Sequence, residues 1–192
     1  MSYLRSCLPA LAGSLLLAGA SSGQTAVRST VSTPAMATEM ANFISLAVNA
    51  GAVQTIANVT DNVVNGFPTP VTITLSWDLH PSTANVQVVG YFANPAMAMS
   101  SGSLGIPSSW IKGRVLTADV VGAPTTFTAF TQNAVGGIGT TGGSLALLTQ
   151  SVLGYSKTGS KSIDLELQLD LVGRVLAAGT YTGTLNIRAV TQ

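Results

Sequence analysis

The sequence predicts an all-β domain built as an antiparallel sandwich, and three observations support this fold class. Charged residues form 8% of the 192-residue chain, against about 25% in an average soluble protein, so the Glu, Lys and Arg that usually cover helix surfaces are scarce. Thr and Val are abundant, and their β-branched side chains fit the pleated surface of a sheet. Several segments alternate strictly between apolar and polar residues and are separated by turn-rich sequence, which is typical of a sandwich or a barrel.

Residues 1–20 have the features of a secretory signal peptide. Arg5 precedes an apolar run from Cys7 to Ala20, and small residues near its end offer cleavage after residue 20 or as late as residue 26. The run is shorter than the roughly 20 apolar residues that a membrane span requires, and no later segment approaches that length. We therefore expect a secreted protein, in the periplasm or at the extracellular cell surface, with no stable membrane span after signal cleavage.

Cleavage also changes the charge and the redox chemistry of the chain. It removes Cys7, the only cysteine, and Arg5, one of eight basic residues, which leaves seven basic residues against seven acidic ones. The mature chain is therefore expected to have no disulfide. Its net charge near zero provides no field that could hold a polyanion, so we expect no nucleic-acid partner.

Residues 21–41 are predicted to form an extended arm before the sandwich domain, which we assign to residues 42–192. The arm is rich in Ser, Thr and Ala and contains Pro34. Its alternation would let it add a strand to an exposed sheet edge through main-chain hydrogen bonds; the alternating positions are Val27, Ser29, Val31 and Thr33. The preferred interpretation is a solvated tail, because two valines are a thin hydrophobic pattern.

Three segments of the domain alternate strictly enough to predict half-buried strands. They are residues 71–79, 163–171 and 180–190. Six weaker strand candidates are residues 43–48, 52–59, 85–93, 110–116, 125–131 and 145–153. Residues 94–99 could make a single helical turn. Residues 144–154 fit neither the helix period nor the strand period, and we assign them to a strand.

The glycines Gly137, Gly139 and Gly142 match the G-x-G-x-x-G pattern of dinucleotide-binding folds. That chemistry needs a preceding strand, a following helix and a parallel βαβ unit. Here the pattern lies in a Gly/Thr tract in a chain without clear crossover helices. We therefore expect a loop and no bound cofactor.

The chain offers few residues for catalysis or metal binding. His80 is the only histidine, whereas zinc sites usually use several His or Cys ligands. We interpret the segment 80–82 as a turn that closes the preceding strand, because Pro81 and Ser82 are turn formers. We expect no catalytic residues and no metal.

Asp164, Glu166 and Asp170 lie on one side of a predicted strand. Neighbours two residues apart on a strand lie about 6 to 7 Å from each other, which permits two-carboxylate hydrolysis or a weak calcium site. The same pattern is expected of any solvated face of a sheet. Catalysis would also require burial that separates the pKa values of the two acids, and the sequence gives no indication of it.

Trp110 follows a loop and is the best candidate for an exposed aromatic residue that could stack on a sugar. Trp77 takes the apolar phase of its predicted strand, so we assign it to the core.

The C-terminal strand carries a resemblance to known families. It reads Ala177-Ala178-Gly179-Thr180-Tyr181-Thr182-Gly183-Thr184-Leu185-Asn186-Ile187. This run resembles the closing strand of spore coat protein U-like domains and of bacterial chaperone–usher fimbrial subunits, which also end in a Gly-x-Tyr-x-Gly-x-Leu strand. The similarity extends loosely to residues 165–171. Unlike many such subunits, this chain has no cysteine pair near its N-terminus.

The resemblance implies an immunoglobulin-like sandwich that assembles through a chaperone and an usher and receives a strand from the arm of a neighbour. Together with the low charge, it leads us to expect a non-enzymatic structural or adhesive surface protein, such as a pilus or coat subunit. We expect it to associate with itself or with other surface subunits by strand addition. The alternative is a secreted carbohydrate-binding module, in which Trp110 would contact the sugar.

Overall fold

The computed structural model describes residues 25–31, 43–79, 83–117, 120–152 and 158–191, the first of these ranges as backbone only. These residues form two β-sheets and two short 3₁₀ turns. The strands are β1 (Thr25–Val31), β2 (Phe43–Ala50), β3 (Val53–Ile56), β4 (Val64–Gly66), β5 (Val71–Asp78), β6 (Asn85–Tyr91), β7 (Met99–Ser101), β8 (Leu104–Ile106), β9 (Ile111–Val115), β10 (Thr128–Ala129), β11 (Ser144–Ser151), β12 (Thr158–Asp170) and β13 (Tyr181–Thr191).

The strands are divided between two sheets. Sheet I has the order β11-β6-β13-β1-β3, and β7, which pairs with β13, carries β8 at its side. Sheet II has the order β10-β9-β12-β5-β2, and β4 pairs with β12. All pairings are antiparallel except that of β1 with β13. The predicted all-β sandwich is therefore confirmed, with one parallel pair that the sequence did not indicate.

The core lies between the two sheets and is built by the predicted alternation. In β5, and in β12 from Ile163 onward, every second side chain is buried, and the polar ones between them are only partly covered. Full burial of such a side chain contributes about 1.5–3 kcal/mol. The inward row of these two strands consists of Val71, Ile73, Leu75, Trp77, Ile163, Leu165, Leu167 and Leu169.

A β-bulge explains why residues 144–154 fit no simple period. The pairing of β11 with β6 shifts register between Ala146 and Leu148. The extra residue allows Leu145, Leu147 and Leu148 all to be buried, although a regular strand would turn one of them outward. The assignment to a strand is confirmed for Ser144–Ser151.

The arm is where the structure differs most from expectation. Residues Thr25–Val31 form β1, which lies between β13 and β3 and pairs with both. The preferred interpretation, a solvated tail, is therefore not what the structure has at these seven residues. Strands that are parallel need a long connection, so local sequence patterns carry no information about this pairing.

The weaker strand candidates are recovered with different lengths. The candidate at residues 125–131 keeps only two strand residues, Thr128 and Ala129, which pair with Gly113 and Lys112 of β9. Strands β4, β7 and β8 were not predicted, since three residues are too few for a periodic pattern. The helical turn is present at Pro95–Met97, where the Asn94 side chain accepts hydrogen bonds from two backbone N–H groups.

Candidate functional site

The three carboxylates of β12 are each held by a polar partner on the outer face of sheet II. Asp164 accepts a hydrogen bond of 2.7 Å from the Thr72 hydroxyl. Glu166 lies opposite Arg114 in the strand register, and their side chains form an ion pair of 2.5 Å. The predicted common face is therefore real, but its first two members are engaged by side chains of neighbouring strands.

Asp170 completes this row and forms an ion pair of 2.6 Å with Lys112. The hydrogen bond from Lys112, and then that from the backbone N–H of Val172, hold the pKa of Asp170 below its ordinary value. A general acid needs a raised pKa, so the lowered pKa of Asp170 argues against the acid role in two-carboxylate hydrolysis. In the part of the chain that the structure describes, no group of three or more His, Cys, Asp or Glu residues could hold a metal ion.

Trp110 is half-buried and packs against the core. One face of its ring is covered by the guanidinium group of Arg174, whose central carbon lies 4.8 Å from the ring centroid. Arg174 is in turn fixed by a hydrogen bond of 2.7 Å to the backbone carbonyl of Asp170. A sugar-stacking residue needs an open ring face, and this contact removes one of the two.

The Gly-rich tract is a loop between β10 and β11, as expected, and the structure assigns no helix to the residues that follow it. Gly136 and Gly137 both have positive φ and form a two-residue hairpin between Val135 and Ile138, a geometry that favours glycine. The buried Ser144 hydroxyl closes the tract through hydrogen bonds to the backbone N–H and C=O of Thr140. The loop is therefore organised by internal contacts, in a context that lacks the helix N-terminus of a phosphate site.

The residues of the C-terminal motif serve packing. The Tyr181 ring is buried, and its hydroxyl donates a hydrogen bond of 3.0 Å to the backbone carbonyl of Ala177, four residues earlier. Burial raises the pKa of Tyr181. Gly183 lies opposite Met99 of β7, and a side chain there would overlap the Ala98 carbonyl and Met99. This tyrosine arrangement is shared by many sandwiches, so the motif describes a fold element.

The position of β1 is the arrangement with the clearest functional content. In register, Thr25–Val31 of β1 lies beside Tyr181 to Ile187 of β13, and the first four residues of β1 also pair with β3. The sheet order contains no direct pairing of β13 with β3. Strand β1 therefore supplies the main-chain bonds that connect β3 to the rest of sheet I.

Other predicted positions add little to a site. The segment 80–82, with His80, lies outside the described residues, as do residues 1–24 and 32–41 of the predicted leader and arm. Among the residues that the structure describes, no helix is long and apolar enough to span a membrane. Gly90 and Gly113 face the ring of Phe130. The sequence does not predict this arrangement, because the three residues are far apart in the chain.

Comparison with known proteins leaves the resemblance as a hypothesis. A scan against protein-family models finds no match, and a search of curated proteins finds none.

Proposed function

We propose that this protein is a secreted, non-enzymatic structural or adhesive subunit of the periplasm or cell surface, of the pilus or coat type. In this proposal it associates with other copies, or with other surface subunits, by strand addition. The observation that carries the proposal is the place of β1, a strand of the N-terminal arm that pairs with β13 along its length and with β3 through its first four residues.

The bonds of β1 do not depend on which copy supplies it. Main-chain hydrogen bonds provide most of the contact between parallel strands, and an identical arm from a neighbour would make the same bonds. The eleven residues 32–42 separate β1 from β2 in the sequence. Such a length of extended chain reaches roughly 40 Å, which is enough to reach an adjacent domain of this size.

The chemistry of the described residues supports a role without catalysis. The carboxylates of β12 are engaged by Thr72, Arg114 and Lys112, and the pKa of Asp170 is lowered where an acid catalyst would need it raised. A screen of glycan and ester substrates tests this part of the proposal. We expect no turnover, and turnover that disappears in Asp164→Asn would contradict it.

The position of the leader cleavage matters for the proposal. Cleavage after residue 20 leaves all seven residues of β1 in the mature chain, whereas cleavage after residue 26 would remove Thr25 and Ala26. We therefore expect the mature N-terminus at residue 21, which intact-mass measurement of the exported protein checks directly.

Association can be tested on the mature chain with light scattering after size-exclusion chromatography. We expect multimers whose fraction rises when the protein is refolded at high concentration. Their disappearance on addition of a synthetic peptide of residues 25–31 would support strand addition, because the peptide fills the place of β1. The matched control is the same peptide with Val27→Pro, which lacks a backbone N–H at a position that pairs with both β13 and β3. A chain that stays monomeric after refolding at every concentration would overturn the proposal.

The carbohydrate-binding alternative depends on Trp110, which is half-buried and has one ring face covered by Arg174. Retention on neutral polysaccharides that is lost in a folded Trp110→Ala variant would favour this alternative. We expect the parent chain and the Trp110→Ala variant to show the same retention.

A further inference from the structure

The edges of the two sheets are protected to very different degrees. At the outer edge of sheet I, β11 is bonded along its free side. The Thr149 N–H donates to the Val121 carbonyl at 2.8 Å, and Ser144 exchanges two backbone hydrogen bonds with Gln132. The Gln132 side chain also accepts from the Ala146 N–H at 2.7 Å. An edge covered in this way cannot pair with another strand.

Two further edges are short. Strand β10 has two residues and β3 has four. Strand β3 is also tied down, because the buried Gln54 side chain exchanges hydrogen bonds with the backbone of Thr69. Short or covered edges are the usual protection of sheets against unwanted pairing.

Strand β2 is neither short nor covered by described residues, and its one register shift against β5 falls after Val48. Its eight residues, Phe43–Ala50, contain no charged residue and no proline, and in the described part of the chain its only strand partner is β5. One row of its backbone N–H and C=O groups therefore faces away from the sheet. A long, uncharged edge of this kind is a template for another strand.

The side chains of β2 indicate what kind of strand fits. Ile44, Leu46 and Val48 continue the inner apolar row of sheet II, opposite Trp77, Leu75 and Ile73. Leu46 is buried, whereas Ile44 and Val48 at the two sides are only partly covered. Phe43 leaves 56% of its surface exposed. An added strand with the same apolar spacing would cover the part of this row that the sandwich leaves open.

We propose that β2 pairs antiparallel with β2 of a second copy of this chain, about a two-fold axis at Leu46. In this register Ile44 of one copy lies opposite Val48 of the other, and the two Leu46 residues meet on the axis. The apolar rows of the two copies then become continuous, since side chains of equal inward phase stand opposite each other.

Electrostatics does not oppose this pairing. The strand itself is uncharged, and the charged residue of the adjacent strand β5, Asp78, lies opposite Phe43 at the end of the pair, three residues from the proposed axis. A single strand pair buries less than the ~1,200 Å² of a standard interface, so we expect a weak dimer. The dimer joins the β2 edges of sheet II, whereas β1 lies inside sheet I, so the two pairings use different strands.

The test is sedimentation of the full mature chain at concentrations up to ~1 mM, in the range that a weak interface requires. Ala47 is exposed on the outer face of β2, and Ala47→Lys places two lysines close to the axis of the dimer. We expect at least a tenfold rise of the dimer dissociation constant. The matched control is Ser151→Lys, at an exposed position of the covered edge β11, which should leave dimerisation unchanged. Equal dimerisation of the parent chain and Ala47→Lys, or a parent chain that does not dimerise, would overturn the proposal.

A cysteine experiment tests the register. The proposed axis places Ser45 of one copy opposite Ala47 of the other, so an equimolar mixture of Ser45→Cys and Ala47→Cys chains should form a disulfide-linked heterodimer. Each variant alone should form much less. Preferential cross-linking of Ser45→Cys with itself would overturn the register. Both outcomes are independent of the peptide 25–31, so failure here is distinguishable from failure of strand addition by the arm.

Discussion

At the middle of the sandwich the Phe130 ring packs between a glycine of each sheet, whereas the outer face of sheet II holds its carboxylates in partly exposed ion pairs. A Cβ atom at Gly90 would lie 3.2 Å from the Phe130 ring, and one at Gly113 would lie 3.3 Å from its other edge. Phe92 contacts the same ring edge-on, with centroids 5.2 Å apart. On the outer face, by contrast, the Arg114 and Glu166 side chains are 38% and 30% exposed.

This contrast shows that the residues most suggestive of chemistry and the residues most important for stability lie in different regions. Exposed ion pairs contribute about 0–1 kcal/mol, whereas a close-packed interior responds to a single methyl group. Substitution of the acids on the outer face should therefore cost little stability. The positions around Phe130 cannot change independently of each other.

Phe130→Ala should produce the largest effect. Removing a fully buried ring leaves a cavity between the sheets, and we expect a loss of about 3–5 kcal/mol of unfolding free energy. Chemical denaturation measures it. Phe127→Ala is the matched control, because Phe127 packs under Arg114 with its ring centroid 4.5 Å from the guanidinium carbon, and it should cost about 1 kcal/mol. Equal losses in both variants would contradict the contrast between the two regions.

Gly113→Ala should produce an intermediate effect of about 1–3 kcal/mol, because the added methyl group overpacks the core. It would lie between 3.1 and 3.3 Å from Leu165, Leu145 and Phe130. If the Phe130 ring limits the space at Gly113, the double variant Phe130→Leu with Gly113→Ala should lose less unfolding free energy than the two single variants together. Gly66→Ala, where no atom lies within 4 Å, is the control and should change stability by less than about 0.5 kcal/mol. Strict additivity of the double variant would show that the two sites are not coupled.

Asp170→Asn should produce the smallest effect, below about 1 kcal/mol at neutral pH. Lys112 lowers the pKa of Asp170 in the folded state. The contribution of the Asp170 carboxylate to stability is therefore fully present above its unfolded-state pKa, and it is lost as the pH falls through the lowered folded-state pKa. Between pH 7 and about pH 2, the free energy of unfolding should fall less steeply with decreasing pH in the variant than in the parent chain. A steeper fall of the free energy of unfolding in the variant would mean that the pKa of Asp170 is raised in the folded state.

The sequence predicts the sheet layers because their alternation is local, and it misses what depends on long-range pairing. The alternation at Val71–Asp78 exists because one face of the strand is buried, so the pattern and the strand have the same cause. The Leu-rich stretch of β11 obscured its period because a bulge shifts the phase by one residue. The space around Phe130 depends on Gly90 and Gly113, which no spacing rule links to it.

In the arm and at the candidate site, too, the local pattern could be predicted and the long-range pairing could not. The common face of Asp164, Glu166 and Asp170 could be predicted from their spacing of two. Their partners on β5 and β9 could not, because strand neighbours are set by topology. The alternation of Val27 and Val31 suggested strand formation, but the parallel pairing with β13 has no local pattern.

Addition of the arm strand between copies is tested most directly by a disulfide in the register of β1 and β13. Ala26 lies opposite the exposed Thr182, so Ala26→Cys with Thr182→Cys, in a mature chain expected to have no other cysteine, places two thiols within bonding reach. The control pairs Ala26→Cys with Arg188→Cys, six residues further along β13 and about 20 Å away. After refolding at high concentration and oxidation, we expect disulfide-linked multimers in the first variant and none in the control. Complete closure of the disulfide within single chains, at every concentration, would contradict the exchange of strands between copies.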